Sequence, residues 1–350
     1  MIYNKALGQI NIYGGTFNGS IYNYDAGIMN ITGGNFTSRK YSIYNNAGGT
    51  IDIENANITT TEGNAVVNEI SSGNMNVNNC IIQSTAKGID NYGTLTLGKQ
   101  TDELITDNLE TKFMISGDTY GIYSNKTINY YNGMIKGNMC VLGVIDDIRD
   151  GYNAILTTSD GIETLVLGKN EEIAEVDGVV YNNIEDALNA CTTEKNIIKF
   201  LKPFVITKED AININENSDI IIDLNNNNIR CMATNGVIIN SGKLEVIDSS
   251  SDNNGILYGT GNQLIKNSGT LNLNGIEFNN VLGRDRRIIY NIDSGNLNVN
   301  NVRMYASCNV NTSYYGIYST SIGTINFVDS NIEFRGYYYL GSSGFVSCSN

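Results

Sequence analysis

A short unit repeats along most of this chain, and this repetition constrains the fold more than any other feature of the sequence. Each copy begins with an apolar residue, any residue and an asparagine, as in Ile2-Tyr3-Asn4 and Ile43-Tyr44-Asn45. The asparagines at positions 4, 23, 45, 68 and 91 are separated by 19, 22, 23 and 23 residues. A unit of about 22 residues cannot bury a core by itself, so successive units must stack on one another.

The second half of each unit follows a glycine and alternates apolar with other residues. Examples are Gly27-Ile28-Met29-Asn30-Ile31 and Gly295-Asn296-Leu297-Asn298-Val299. Alternation with period two indicates a strand with one buried face. A turn pair such as Gly33-Gly34 and another short apolar strand follow, so each unit holds three strands. We therefore predict an all-β, right-handed parallel β-helix with coils of about 22 residues.

The composition fits a stack of coils. The chain has 55 asparagines, and asparagines aligned in successive coils can form ladders of side-chain amides. It has only 1 proline, which is expected when almost every backbone N–H enters a strand ladder. An antiparallel sandwich would explain the strands, but it would not explain the fixed spacing of Asn and Gly.

The repeat is interrupted from about Cys140 to Glu175, and this divides the chain. We predict a first β-helix stack over 1–139, a hairpin-like spacer over 140–177 and a second stack over 178–350. The second stack begins with a short helix near 183–190, because Ile184, Ala187 and Leu188 share one helical face behind Asn182 or Asn183 as cap. A helix there would cover the strand edges at the end of the solenoid.

Several functional classes are excluded by composition. The chain has no histidine, so it cannot build a Ser-His-Asp triad, a HExxH zinc site or a histidine-ligated haem. Its net charge of −14 argues against binding nucleic acid or an anionic membrane. The longest apolar stretch, 197–206, is about half of a bilayer span, which predicts no membrane insertion. The six cysteines are scattered, without a CxxC pair, and we expect them to be buried apolar side chains.

Five segments carry a resemblance to a known family: Tyr181 to Leu188, Ile197 to Leu201, Ile222 to Asn225, Leu244 to Ser250 and Gly255 to Gly259. Together they resemble the opening coils of pectate-lyase-like β-helix modules in adhesin-like bacterial surface proteins. The coil pattern covers most of the chain, whereas the specific part runs from 181 to 259. The resemblance implies an extracellular or cell-surface location. No signal peptide is evident, and both ends fall within a repeat, so we expect a longer parent polypeptide.

A column of tyrosines is the first candidate site. The alternation directs the middle residue of the Ile-x-Asn unit outward, and exposed aromatic rings can bind sugars through their apolar faces. The alternative is a ladder of tyrosines that stabilises the sheet and binds nothing. The candidate ligand-binding residues are Tyr3, Tyr22, Tyr44, Tyr123, Tyr290 and Tyr318.

The only basic cluster, Arg284-Asp285-Arg286-Arg287, is the second candidate site. The resemblance implies that a lyase of this class would use Arg284 or Arg287 on an acidic sugar and Asp285 as a Ca²⁺ ligand. The alternative is a solvated loop, and no acidic cluster lies one coil away. We therefore expect no catalytic residue, with these three as the candidates if the chain is an enzyme.

A calcium site is the only cofactor hypothesis. Asp248 and Asp252 lie in an acidic loop whose oxygens would suit a hard cation, and the alternative is a solvated turn. The loop does not match an EF-hand.

The regular short turns favour a non-enzymatic, elongated bacterial surface module that acts as an adhesin-like binder or a stalk. Its partner would be a glycan or a protein of the host or cell surface. The alternative function is a polysaccharide lyase or glycoside hydrolase of the pectate-lyase-like class, including the phage tailspike type.

Overall fold

The structure is a computed structural model that describes residues 1–5, 8–24, 27–46, 48–69, 73–192, 194–208, 211–232, 236–259, 263–282, 287–308, 315–335, 340–342 and 345–349. It is a parallel β-solenoid with turns about 24 residues apart, which confirms the predicted fold class. The chain forms two compact units, Met1–Lys169 and Asn170–Asn350, and the division between them lies inside the predicted spacer.

The coils of the first unit form three faces of parallel strands, which we call sheets 1 to 3, and sheets 1 and 3 are joined into a single 13-stranded sheet. Sheet 1 contains Ile2–Asn4, Ile21–Asn23, Ile43–Asn45, Val66–Asn68 and Lys87–Asn91. Sheet 2 contains Gln9–Ile12, Ile28–Thr32, Thr50–Glu54, Asn74–Asn78, Thr94–Leu97, Ile128–Tyr130 and Ile145–Ile148. Sheet 3 contains Thr16–Asn18, Asn35–Ser38, Asn57–Thr60 and Ile81–Ser84. The long strands Met114–Ser124 and Met134–Leu142 each run from sheet 3 into sheet 1.

An antiparallel hairpin ends the first unit. Its strands are Tyr152–Ser159 and Ile162–Lys169, and the second pairs with Met134–Leu142 in antiparallel fashion. The pairing places Ile135 opposite Leu165, and both side chains are fully buried. The hairpin therefore occupies the edge of the last long strand, which would otherwise offer unpaired backbone groups.

The second unit also has three sheets. Sheet 4 contains Lys195–Phe200, Asp219–Asp223, Lys243–Ile247, Thr270–Asn274, Asn296–Asn300, Thr324–Val328 and Phe345–Ser349. Sheet 5 contains Phe204–Ile206, Asn228–Cys231, Ile256–Gly259, Glu277–Leu282, Arg303–Cys308 and Asn331–Arg335. Sheet 6 contains Ile212–Ile214, Ile238–Asn240, Ile265–Asn267, Arg287–Asn291, Tyr315–Ser319 and Leu340–Ser342.

The start of the second unit is covered by antiparallel strands and a helix. Ala174–Val176 pairs with Val179–Tyr181 on one side and with Lys195–Phe200 on the other. The helix spans Ile184–Ala190, and Asn183 is its N-cap, accepting a 2.7 Å hydrogen bond from the backbone N–H of Asp186. The cap helix predicted near 183–190 is confirmed. Within the described residues, no helix is long and apolar enough to span a bilayer.

Inward-facing asparagines form a continuous ladder in the first unit. Each Nδ2 donates to the Oδ1 of the residue in the next coil, at 2.9, 3.0, 2.8 and 2.8 Å along the series Asn4, Asn23, Asn45, Asn68 and Asn91. The last amide donates to the hydroxyl of Ser124 at 2.8 Å. Several of these amides also donate to a glycine carbonyl of the following turn. The predicted asparagine ladder is therefore confirmed.

A shorter ladder crosses sheet 6 of the second unit. Asn240 donates to Asn267 at 2.7 Å, and Asn267 donates to Asn291 at 2.6 Å. The ladder starts at Asn240 because the preceding coil has Ile214 in register, which has no amide to donate. Accordingly, the Oδ1 of Asn240 is buried and has no hydrogen-bond partner among the described residues.

The corner after sheet 2 requires a left-handed backbone. The residue there is Gly33 in one coil, with φ of 86°, and Asn55 and Asn79 in the next two, with φ of 55° and 50°. Glycine adopts this conformation without a steric penalty, and asparagine is the side chain that tolerates it best. The sequence has either Gly or Asn at this corner for that reason.

Candidate functional site: the tyrosine face and the insertion groove

Sheet 1 of the first unit carries stacked tyrosines on its outer surface. Tyr3, Tyr22 and Tyr44 occupy the same register position in successive coils, between an inward isoleucine and an inward asparagine. The rings of Tyr3 and Tyr22 are 4.9 Å apart between centroids and nearly parallel, at 8°. Tyr22 and Tyr44 are 5.3 Å apart and tilted by 49°.

Two further tyrosines join this cluster from the connections between strands. The Tyr24 ring lies 5.5 Å from that of Tyr3 and 5.7 Å from that of Tyr22. The Tyr41 ring lies 5.3 Å from that of Tyr44. Sequence reasoning missed both because they lie outside the Ile-x-Asn unit, although the pattern Tyr22-Asn23-Tyr24 would place two rings on the same outer side of a strand. We call these five residues the tyrosine face.

The stacking of the tyrosine rings determines which parts of each ring a ligand could contact. In the nearly parallel pairs the flat faces of the rings lie against each other, so ring edges and hydroxyls are what the surface presents. Tyr3, at the start of the row, is 48% exposed. Partial desolvation and the neighbouring Tyr24 and Tyr22 side chains raise the pKa of Tyr3. The face is therefore a row of closely spaced phenols, of which Tyr3 has the raised pKa.

The predicted column does not continue without a break to Tyr123. The register places Val67 and Asp90 between Tyr44 and Tyr123. Tyr123 instead belongs to a second cluster, with centroids of Tyr92 and Tyr120 each 6.0 Å from its own.

A lysine completes this second cluster. The ammonium of Lys87 lies 4.0 Å from the ring centroid of Tyr123 and 3.0 Å from a carboxylate oxygen of Asp90. A cation held over a ring in this way occupies the face that a sugar would need.

Tyr290 and Tyr318 form a third cluster, in the second unit. Their centroids are 5.6 Å apart, and the guanidinium of Arg287 lies 4.4 Å from the first and 4.7 Å from the second. Arg287 is therefore in cation–π contact with two rings. Its Nε is buried and makes no hydrogen bond within the described part of the chain. Arg284 and Asp285 lie outside the described residues, so the catalytic hypothesis remains a prediction.

The carboxylate of Asp248 is hydrogen-bonded to backbone N–H groups around it. One carboxylate oxygen accepts hydrogen bonds from the backbone N–H groups of Asn226 and Ser250, at 2.9 and 3.0 Å, and the other accepts from Gly255 at 2.6 Å. Burial raises the pKa of Asp248, but the backbone N–H donors around it outweigh burial, so the pKa is lowered overall.

Asp252, the other calcium candidate, accepts a 3.1 Å hydrogen bond from the Ser251 hydroxyl. Across the described ranges, no three His, Cys, Asp or Glu side chains are arranged to hold a metal ion. The calcium site remains a prediction.

Cysteines occupy the core rather than a site. Cys80, Cys140 and Cys231 are buried thiols, and Cys191 is half-buried. Burial raises the pKa of Cys80 to about 12, so this thiol stays protonated at neutral pH. The expectation that the cysteines are buried side chains is confirmed for Cys80, Cys140 and Cys231. The side chains of Cys308 and Cys348 lie outside the described part of the chain.

One coil of the first unit is longer than its neighbours and builds a groove. The amide of Asn91 bonds to Ser124 across 33 residues, whereas the preceding ladder bonds span 19 to 23. The chain leaves sheet 2 at Gly98 and enters sheet 3 at Met114, and between them lies a short helix at Leu109–Lys112. We call residues 98–113 the insertion. Between it and the coils lies a groove of about 730 Å³, whose lining includes Glu54, Asn55, Asn78, Lys99, Glu103 and Lys112.

Two residues, one from each of the next two coils, hold the insertion in place. Asn132 is buried, accepts a 3.1 Å hydrogen bond from the backbone N–H of Ile105, and donates to the carbonyl of Glu103 at 3.0 Å. Arg149 donates to the carbonyls of Asp102 and Lys99. These hydrogen bonds therefore hold the insertion in place through its backbone groups. Sequence reasoning missed this groove, although the lengthened step between Asn91 and Ser124 signalled an extra segment.

The class of protein follows from the fold: this chain is a parallel β-solenoid whose coils are joined by buried asparagine ladders. Comparisons of the chain with protein-family models, with curated proteins and with solved structures find no match.

Proposed function

We propose that this chain is a non-enzymatic, adhesin-like binding module of a bacterial surface protein, and that its tyrosine face contacts the ligand. The observation that carries the proposal is the cluster of five tyrosines on adjacent coils, with ring centroids 4.9 to 6.5 Å apart. Aromatic rings combine a large apolar area with a polar hydroxyl, which is why tyrosine is enriched in binding surfaces.

The chemistry of the face favours an extended partner. Phenol hydroxyls repeat at about the 4.8 Å spacing of the coils, and each can both donate and accept a hydrogen bond. Rings that are already stacked lose little conformational entropy when a partner binds. A glycan chain or an exposed protein segment, both rich in donors and acceptors, fits this row. The extracellular or cell-surface location rests on the resemblance to adhesin-like β-helix modules.

The proposal is tested by removing hydroxyls without removing rings. The combined substitution Tyr3→Phe, Tyr24→Phe and Tyr44→Phe keeps the stacked rings, and we expect it to weaken binding to an immobilised panel of neutral and acidic polysaccharides by at least about tenfold. Tyr13→Phe is the matched control, because Tyr13 is 82% exposed and makes no ring contact with the tyrosine face. Equal binding by the combined variant would contradict the proposal.

The same panel of polysaccharides distinguishes the two other candidate functions, a stalk and a polysaccharide-cleaving enzyme. If the chain binds neither a polysaccharide nor a surface protein, its function is that of a stalk. Release of unsaturated or reducing ends that disappears in Arg287→Ala would make the chain a lyase or hydrolase of the pectate-lyase-like class. Ca²⁺ is included in one half of the assays, because such a lyase requires it.

A further inference from the structure

The hairpin that ends the first unit leaves one edge of a sheet unpaired. Its first strand, Tyr152–Ser159, pairs with Ile162–Lys169 on one side, and no other strand in the described part of the chain pairs with it. The strand has eight residues, whereas the described strands at the other sheet ends have three to five. Short edge strands resist pairing with another chain, and this strand lacks that protection.

The turn of the hairpin identifies the backbone groups that point outward. The chain turns through Asp160 and Gly161, both with positive φ, as is typical of a two-residue hairpin loop. In such a hairpin Ser159 and every second residue before it bond to the other strand, and the residues between them direct their N–H and C=O groups away from it. No backbone hydrogen bond within the described residues uses the outward groups of three of these residues. We call these groups the free edge, and they belong to Ala154, Leu156 and Thr158.

The strand has no feature that would prevent it from pairing with its own copy. Residues 152–159 contain no charged side chain, although 17% of the chain is charged, and they contain no proline. Charged residues and proline are the usual devices that keep sheet edges apart. Ile155 is 39% exposed, and Thr157, Thr158 and Ser159 are exposed as well. The strand is therefore accessible from both faces on the side of the turn.

An antiparallel pair centred on Leu156 uses the whole free edge. Leu156 then lies opposite Leu156 of the second copy, and Ala154 lies opposite Thr158 of the second copy. Each of the three residue pairs exchanges both of its backbone bonds, which gives about six hydrogen bonds. Identical residues meet at the axis of a two-fold dimer, so a charge there would repel itself, whereas two leucines pack against each other.

We propose that this protein forms a two-fold symmetric dimer by antiparallel pairing of Tyr152–Ser159 with the same strand of a second copy. The two hairpins then form one continuous antiparallel sheet. A single strand pair buries little area, so the dimer is weak, with a Kd on the order of 10–100 μM. This surface is separate from the tyrosine face, and the dimer does not depend on the function proposed for that face.

Sedimentation velocity of the full chain, at concentrations from about 1 to 300 μM, tests the proposal. We expect a monomer–dimer equilibrium. Thr158→Pro removes an N–H of the free edge but no bond to the other strand of the hairpin, and it should weaken dimerisation at least about tenfold. Thr158→Val is the matched control, because it changes the same side chain and keeps the N–H, and we expect it to dimerise like the unsubstituted protein. Circular dichroism verifies that both variants keep the fold.

Cysteine cross-linking tests the register of the pair. Leu156→Cys places two thiols opposite each other, where the Cα atoms of a hydrogen-bonded antiparallel pair are about 5.5 Å apart, within the range of a disulfide. Thr158→Cys separates its two thiols by four positions along the strands, roughly 14 Å, which a disulfide cannot span. Under mild oxidation we expect a covalent dimer from Leu156→Cys only. The unsubstituted protein is the control for its own six cysteines.

Three outcomes would overturn the proposal. The unsubstituted protein stays monomeric over the whole concentration range, Thr158→Pro dimerises as strongly as Thr158→Val, or Thr158→Cys forms the covalent dimer as readily as Leu156→Cys. The last two results would show that copies associate through a different surface or register.

Discussion

At the scale of single residues, the buried asparagines are the most specific feature of this protein. The side-chain amide of Asn68 uses both of its donor hydrogens, one to Asn91 at 2.8 Å and one to the carbonyl of Gly73 at 3.2 Å, while its oxygen accepts from Asn45 at 2.8 Å. A buried polar group is tolerated only when it is hydrogen-bonded, and here each amide satisfies the next. The ladder therefore fixes the register between coils as well as stabilising them.

Asn68→Ala should lower the free energy of unfolding of the full chain by about 3 kcal/mol, because it leaves a donor on Asn45 and an acceptor on Asn91 buried without partners. Urea denaturation followed by circular dichroism measures this loss. Asn57→Ala is the matched control: Asn57 donates to an asparagine of a neighbouring coil as well, Asn35 at 3.0 Å, but this bond is exposed. We expect it to cost less than about 1 kcal/mol, since water replaces the bond. Equal losses in the two variants would contradict a special role for burial.

At the scale of elements, strands end where the backbone must turn, and antiparallel strands pair with the terminal strand of each unit. The coil corners use Gly, Asn or Asp because the backbone there is left-handed, as at Asn301 with φ of 49° and Asp329 with φ of 45°. The second unit begins with a seven-residue helix, too short to be stable by itself. Its Ala187 is buried against the core, so packing and the Asn183 cap maintain it together.

Asn183→Ala should destabilise the start of the second unit by about 1 kcal/mol, because it removes the side chain that accepts the backbone N–H of Asp186. Hydrogen exchange of the amides in Ile184–Ala190 measures the effect. Asn189→Ala is the control, since Asn189 lies on the exposed side of the same helix and alanine has the higher helix propensity. Faster exchange in Asn189→Ala than in Asn183→Ala would show that the cap contributes nothing.

At the scale of the whole molecule, the chain consists of two units with their own interiors. A continuous cluster of buried apolar residues runs from Ile173 to Ile325 and lies entirely within the second unit. In the first unit, the inward isoleucines and the asparagine ladder form a separate interior. A unit with a complete core of its own is expected to fold independently.

Residues 1–169 and 170–350, expressed separately, should each give the circular dichroism of β-structure and a cooperative thermal transition. The physical reason is that each unit keeps all of its parallel strand pairs and its terminal antiparallel strands. Summing the spectra of the two fragments should reproduce that of the full chain, which serves as the control. An unfolded spectrum for either fragment would contradict the independence of the units.

Much of the fold could be predicted from the sequence because its signals are local and repeated. The alternation in Gly295-Asn296-Leu297-Asn298-Val299 specifies a strand, and the interval between asparagines specifies the coil. The candidate site was predicted less completely. The outward position of Tyr22 follows from the alternation. The contacts of Tyr24 and Tyr41 depend on the paths of the connections between strands, and the Ile-x-Asn unit carries no information about those paths.

Period, alternation and capping are properties of neighbouring residues, so the stacking of coils, the inward asparagines and isoleucines and the cap helix could all be predicted from local patterns. The position of the groove depends instead on contacts between distant parts of the chain. The carbonyl of Glu103 meets the amide of Asn132 across 29 residues, and the carbonyl of Asp102 meets Arg149 across 47. These bonds exist because the next two coils present those side chains to the insertion, and no local pattern encodes which residues of separate coils will meet.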